Sequence, residues 1–108
     1  MVRVQVKSRY QTDCDRSVFV REDTFAAIDF LVIVFLNIGW YYDDACRRPE
    51  GGRLDVEFLT LPKATARKHW REVKSGMNRV HTAGAKLDRY KNDSGFSLIA
   101  EKLGVPYP

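Results

Sequence analysis

The sequence predicts an α/β domain: a small central mixed sheet with a fully buried strand near residues 29–38, flanked by helices. Three observations lead there. Asp29 to Ile38 is apolar on both faces and rich in β-branched residues, which suits a strand in the middle of a sheet covered on both sides. Residues 2 to 7 alternate apolar and polar, the period of a strand with one buried face. The stretches that follow Pro62 and Asp93 carry apolar residues at helical spacing.

At 108 residues the chain suits one domain, spanning 1–108, with enough length to bury a core but not two. An apolar content of 44% with 30% charge excludes disorder and repetitive fibrous compositions. Cys14 and Cys46 lie far apart without C-x-x-C spacing, so reduced thiols are expected rather than a disulfide framework or a zinc site. Met1 leads directly into an alternating segment, not a charged stretch followed by an apolar run, and the expected location is cytoplasmic. Phe30 to Leu36, the most apolar run, is far shorter than the ~20 residues that cross a bilayer. The net charge of +4 favours a polyanionic partner.

Taken in order, Val2, Val4 and Val6 form the apolar side of the first strand, with Arg3, Gln5 and Lys7 opposite. Ser8 to Asp15 reads as a loop, Val18 to Val20 as a short extended piece, and Glu22 to Ala27 as one helical turn. After the apolar strand, Gly39 closes the run, and Asp43 to Arg53 is a loop marked by Pro49 and Gly51-Gly52. Leu54, Val56 and Phe58 alternate with Asp55 and Glu57, a half-exposed strand near the sheet edge. Pro62 suits the first turn of a helix reaching about Val73, with Ala66, Trp70 and Val73 on one face. Lys74 to Asn92 is expected to be a long loop with at most one helical turn. A last helix is capped by Asp93 or Ser94, buries Phe96, Ile99, Ala100 and Leu103, and stops at Gly104 ahead of Pro106.

The chemistry rests on Gln5-Val6-Lys7. Period-2 geometry puts an amide and an ammonium roughly 7 Å apart on one strand face. Such a pair serves metal-dependent phosphodiester chemistry, in which an oxygen ligand holds a divalent cation and a lysine steadies the attacking water or the developing charge.

Val-Gln-Val-Lys-Ser-Arg resembles the motif strand of the PD-(D/E)XK nuclease superfamily, which ends in Glu-x-Lys or Gln-x-Lys. The downstream order is similar too: a polar loop, a short turn, an apolar strand like Phe30 to Leu36, and a strand such as Phe58 to Pro62 entering a helix. Lys91-Asn92-Asp93, Gly95-Phe96 and Leu103-Gly104-Val105-Pro106 look like pieces of uncharacterised bacterial members. The resemblance implies a restriction-endonuclease-like half fold, the C-terminal portion of a larger nuclease-like domain. It also implies Gln5 as a metal ligand or water-positioning group, the Val6 backbone carbonyl as a further ligand, Lys7 as the catalytic lysine, and Mg²⁺ as the cofactor. These nucleases carry an aspartate on the preceding strand, for which Met1 to Val4 offers no equivalent. DNA hydrolysis is therefore expected only when the full site is assembled, and the isolated chain is expected to be inactive.

Other constellations are weaker. Asp13-Cys14-Asp15 could face a cation. His69 and His81 lack a third ligand at metal spacing and read as surface or capping residues. Trp70 reads as core before it reads as a stacking platform. Arg3, Arg9, Arg16, Lys63, Arg67 and Arg71, together with Lys7, would follow a DNA backbone if they converged on one face. A non-catalytic module that binds nucleic acid or protein is the rival to a nuclease, and an RNA- or protein-binding domain unrelated to nucleases is a third option. The first strand presents an open edge, so a homodimer through that edge is expected.

Overall fold

In the computed structural model, residues 1–9, 16–36, 55–83 and 86–108 are described. Two three-stranded sheets face each other across the core. The first holds β1 (Val4–Arg9), β3 (Phe30–Phe35) and β4 (Glu57–Pro62) in the order β1-β3-β4, with β1 parallel and β4 antiparallel to β3. The second is wholly antiparallel, in the order β2-β6-β5, from β2 (Ser17–Phe19), β5 (Trp70–Arg71) and β6 (Arg79–His81). Three helices complete the described chain: α1 (Thr24–Ala27), α2 (Lys63–Lys68) and α3 (Asn92–Leu103), the last preceded by a 3-10 turn over Asp88–Tyr90.

The apolar strand lies where its composition predicts, between two neighbours. One face of β3 carries Leu31, Ile33 and Phe35, which pack with Leu59 and Leu61 of β4 and with Val18, Val20, Val80, Phe25 and Ala66. The other carries Phe30 and Val32, also buried, on the side where α3 lies over β4. Gly95 permits that approach: a Cβ there would meet the Tyr90 carbonyl oxygen and stand 2.9 Å from the Thr60 Cβ. Phe58 and Phe96 close the contact with ring centroids 5.3 Å apart.

β1 is a strand, extended through Ser8 and Arg9 beyond its expected end, but its faces are the reverse of the expected ones. Val4 and Val6 are 41% and 56% exposed, whereas Gln5, Lys7 and Arg9 are half-buried. The register explains this. Gln5, Lys7 and Arg9 stand beside Leu31, Ile33 and Phe35 on the core side, while Val4 and Val6 stand beside Phe30 and Val32. On that second side α3 covers β4, and the valines remain in solvent. The long Lys7 and Arg9 stems can lie along apolar surface and still carry their charge to water.

The helix expected to reach Val73 ends at Lys68. Trp70 joins β5 instead: its Nε1–H donates to the Val20 carbonyl at 2.8 Å, and its ring packs edge-on to Phe25 at 5.7 Å. These tertiary contacts outweigh a weak helical repeat, and Val73 is left exposed. The segment expected to be a loop contributes β6 and the 3-10 turn. α3 begins at Asn92, without a side-chain cap from Asp93 or Ser94. It buries Gly95 and Ala100, half-buries Phe96 and Ile99, and leaves Leu103 exposed. Its end is the expected one: Gly104 adopts φ 73°, and the amides of Gly104 and Val105 donate to the carbonyls of Glu101 and Ala100. The tail returns to the start of α3, where the Tyr107 hydroxyl donates to Asp93 Oδ1 at 2.7 Å, which raises the Tyr107 pKa above its ordinary value.

The expected loop over 43–53 and residues 10–15 of the expected loop over 8–15 lie outside the described residues, as do Asn37 and Ile38 at the end of the expected apolar strand, Leu54 of the next, and with them Asp13, Cys14, Asp15 and Cys46. No helix among the described residues is long and apolar enough to cross a membrane.

Candidate functional site

The inward turn of β1 sets the site. Lys7 and Arg9 border a cleft of about 260 Å³ that is lined by Lys7, Ser8 and Arg9 of β1, Ser17, Val18 and Phe19 of β2, and Arg79 of β6. No carboxylate lines it among the described residues. Arg79 is held in place by Ser17: its Nη1 lies 3.3 Å from the Ser17 hydroxyl and 3.5 Å from the Ser17 carbonyl. Ser17 is buried, so its dipoles orient the guanidinium from below. No described residue engages the Lys7 ammonium in a hydrogen bond or ion pair. A cleft lined by three cationic residues together with Phe19 and Val18 attracts an anion with an apolar portion.

Arg79 was not legible in the sequence. It lies on a strand of three residues, too short for alternation to register, in a stretch that reads as loop. The only signal is Arg79-Val80-His81 itself, a buried valine between two polar residues.

The other basic residues do not converge on this cleft. Arg3 turns to Asp29, with its Nε 3.7 Å from the carboxylate and its backbone N–H donating to the same oxygen at 2.8 Å. Arg16 donates to Glu57 at 2.8 Å and lies 3.7 Å over the Phe35 ring. Arg67 pairs with Glu22 at 3.6 Å and lies over Phe25. Lys63 and Arg67 border a separate groove floored by Phe30 and Pro62. Arg71 sits on β5, where its guanidinium donates to the Lys68 and Trp70 carbonyls. His69 forms the C-terminal cap of α2, while His81 is on β6, not at a helix end.

Gln5 and Lys7 share the inward face of β1. The donor set that β1 alone presents does not fit Mg²⁺. Gln5 stands opposite Leu31 and Val6 opposite Val32. The Gln5 amide nitrogen lies 3.5 Å from the Val6 carbonyl, the atom expected to bind metal. No group of three or more His, Cys, Asp or Glu residues that could hold a metal occurs among the described residues. Mg²⁺ is ordinarily held through at least one carboxylate, and two neutral oxygens do not supply that charge.

Asp29, immediately before β3, has a lowered carboxyl pKa. The Arg3 backbone N–H holds it below the usual carboxylate range against a smaller effect of burial, with help from Arg3, Lys102 and Lys63. It ties β1 to β3 and does not line the cleft.

No family model, curated protein or solved structure matches this chain.

Proposed function

We propose that this chain binds the phosphodiester backbone of DNA in the cleft between β1 and β6, as a nuclease-like half-site that does not hydrolyse DNA alone. The observation that carries this reading is the convergence of Lys7, Arg9 and Arg79 on one cleft without a lining carboxylate among the described residues. Phosphates favour such a site because cationic side chains release counterions on contact. The likeness to PD-(D/E)XK nucleases supports the nuclease part, since Gln5 and Lys7 lie on one strand face. Mg²⁺ is the metal that this likeness implies, with Gln5 and the Val6 carbonyl as two of its ligands. Hydrolysis on this reading awaits a carboxylate from outside the described residues or from another chain.

The test is fluorescence anisotropy with labelled DNA across a salt series, on the wild type and on Lys7→Ala and Lys7→Arg. Lys7→Ala should weaken binding severalfold and reduce the salt slope by about one unit, and Lys7→Arg should restore most of both. Unchanged affinity and slope in Lys7→Ala would refute the backbone reading. Mg²⁺-dependent plasmid nicking by the isolated chain, lost in Lys7→Ala, would overturn the half-site statement and make the chain a working nuclease.

A second reading concerns assembly. Val4 and Val6 are exposed on β1, an edge strand with no neighbour on its outer side among the described residues. Antiparallel pairing of β1 with β1 of a second copy would satisfy that edge and cover the valines. Sedimentation at tens of micromolar should give a dimer; one monomer boundary would sink this reading.

A further inference from the structure

The outer face of the second sheet is patterned by its register. Phe19 stands opposite Arg79, and Arg79 opposite Arg71. In the next row Ser17 stands opposite His81, whose backbone N–H donates to the His69 carbonyl at 2.9 Å. Val18, Val80 and Trp70 point the other way, toward the core. One row thus sets an aromatic ring beside two guanidiniums, and neither row contains a carboxylate. Phe19 is half-buried and lines the same cleft as Lys7.

We infer that the nucleic acid taken by this cleft is single-stranded, with one base stacked on Phe19 and the phosphates on either side held by Lys7 and by Arg79. This rests on the backbone reading above and adds the state of the strand. Three observations carry it. An aromatic residue lining a cationic cleft contributes stacking only if a base face reaches it, and a duplex keeps its base faces inside the stack. The cationic residues that line the cleft come from strands other than the β2 strand that carries Phe19: Lys7 and Arg9 from β1, Arg79 from β6. A strand crossing the ring would therefore meet positive charge before and after the stacked base. The cleft of about 260 Å³ has room for a nucleotide-sized group, not for the width of a double helix. Stacking is tolerant of base identity, so the site should show little sequence preference.

The experiment measures anisotropy of a labelled DNA strand, an RNA strand of the same sequence and the DNA duplex, on the wild type, Phe19→Leu, Phe19→Trp and Lys7→Ala. Both single strands should bind about tenfold or more tightly than the duplex. Phe19→Leu should lose most of that advantage and leave duplex affinity unchanged, and Phe19→Trp should retain or increase it. Lys7→Ala should weaken all three ligands. Comparable affinity for the DNA and RNA strands supports recognition by stacking and phosphate alone; preference for one identifies the source of the strand. Equal binding of strand and duplex, with Phe19→Leu silent and Lys7→Ala weak, overturns the inference and leaves the backbone reading standing. A silent Lys7→Ala removes the reading beneath it. Circular dichroism melting of Phe19→Leu separates loss of fold from loss of stacking, and Phe19→Trp gives the same answer if the leucine variant does not fold.

Discussion

The two outer edges of the β1-β3-β4 sheet are treated differently. At the β4 edge, Asn92 Oδ1 accepts the Phe58 N–H at 3.0 Å, Lys91 bridges to Leu59, and α3 packs over the strand through Gly95. At the β1 edge the corresponding groups carry no strand among the described residues, and Val4 and Val6 stand in solvent beside it. Both edges flank the same buried strand, so apolar composition does not distinguish them. What distinguishes them is the segment that arrives later in the chain: residues 91 to 96 seal one edge, and no described residue seals the other. A sealed edge stabilises the fold, and an open one is available for pairing.

Breaking the seal should give the largest effect. In Gly95→Ala the new methyl meets the Tyr90 backbone carbonyl and the Thr60 Cβ, neither of which is the far end of a flexible side chain. The helix must lift from β4, at a cost of about 3 kcal/mol, and thermal melting should fall by about 10 °C or more. An unchanged melting temperature would mean that α3 does not hold this edge. Next comes Asn92, which adopts φ 47° and donates no cap but accepts from Phe58. Asn92→Ala loses the acceptor and strains the backbone, costing about 1–2 kcal/mol. Asn92→Gly keeps the backbone freedom and loses only the acceptor, so the difference between the two variants isolates the strain.

How much of this asymmetry the sequence disclosed varies from element to element. β3 was legible because both its faces are apolar, and only a covered central strand tolerates that. The end of α3 was legible because Gly104 can adopt the left-handed conformation that the helix terminus needs. β1 was legible as a strand, yet its buried side was not: alternation reports a period and carries no direction, and only the parallel register with β3 turns Gln5 and Lys7 inward. Trp70 kept its place against the core while its helix did not, because the hydrogen bond to Val20 is a contact of distant residues that local spacing cannot report. Of the cleft, the sequence disclosed Lys7 and Arg9; Arg79 and Phe19 join them only through short strands paired across the chain.

At the open edge the expected effect on stability is smaller. Val6 is 56% exposed, so Val6→Thr, which keeps β-branching, should change stability by no more than about 0.5 kcal/mol. The same substitution should weaken any β1–β1 dimer severalfold, read as a shift of the sedimentation boundary toward monomer with protein concentration. A melting change as large as that of Asn92→Ala would show that Val6 is buried in the protein in solution, and the edge would then not be open.

The smallest effect belongs to Asp29, which fastens the root of the open edge. Its carboxylate accepts the Arg3 N–H at 2.8 Å, and that bond, ahead of the opposing effect of burial and the fields of Arg3, Lys102 and Lys63, lowers its pKa. A carboxyl that holds its proton less tightly folded than unfolded contributes stability only while it is ionised. The contribution is fully present above the ordinary carboxylate value of about 3.9, and it is lost as pH falls through the lowered folded value. The difference in melting temperature between wild type and Asp29→Asn should therefore be constant from neutrality to about pH 5 and close progressively below about pH 4. Hydrogen exchange at Gln5 and Val6 should rise in the variant, because the parallel pairing of β1 with β3 begins beside Asp29. Melting curves that stay parallel down to pH 2 would show that Asp29 acts through its size and hydrogen bonding and not its charge, and that the root of the open edge is not electrostatically held.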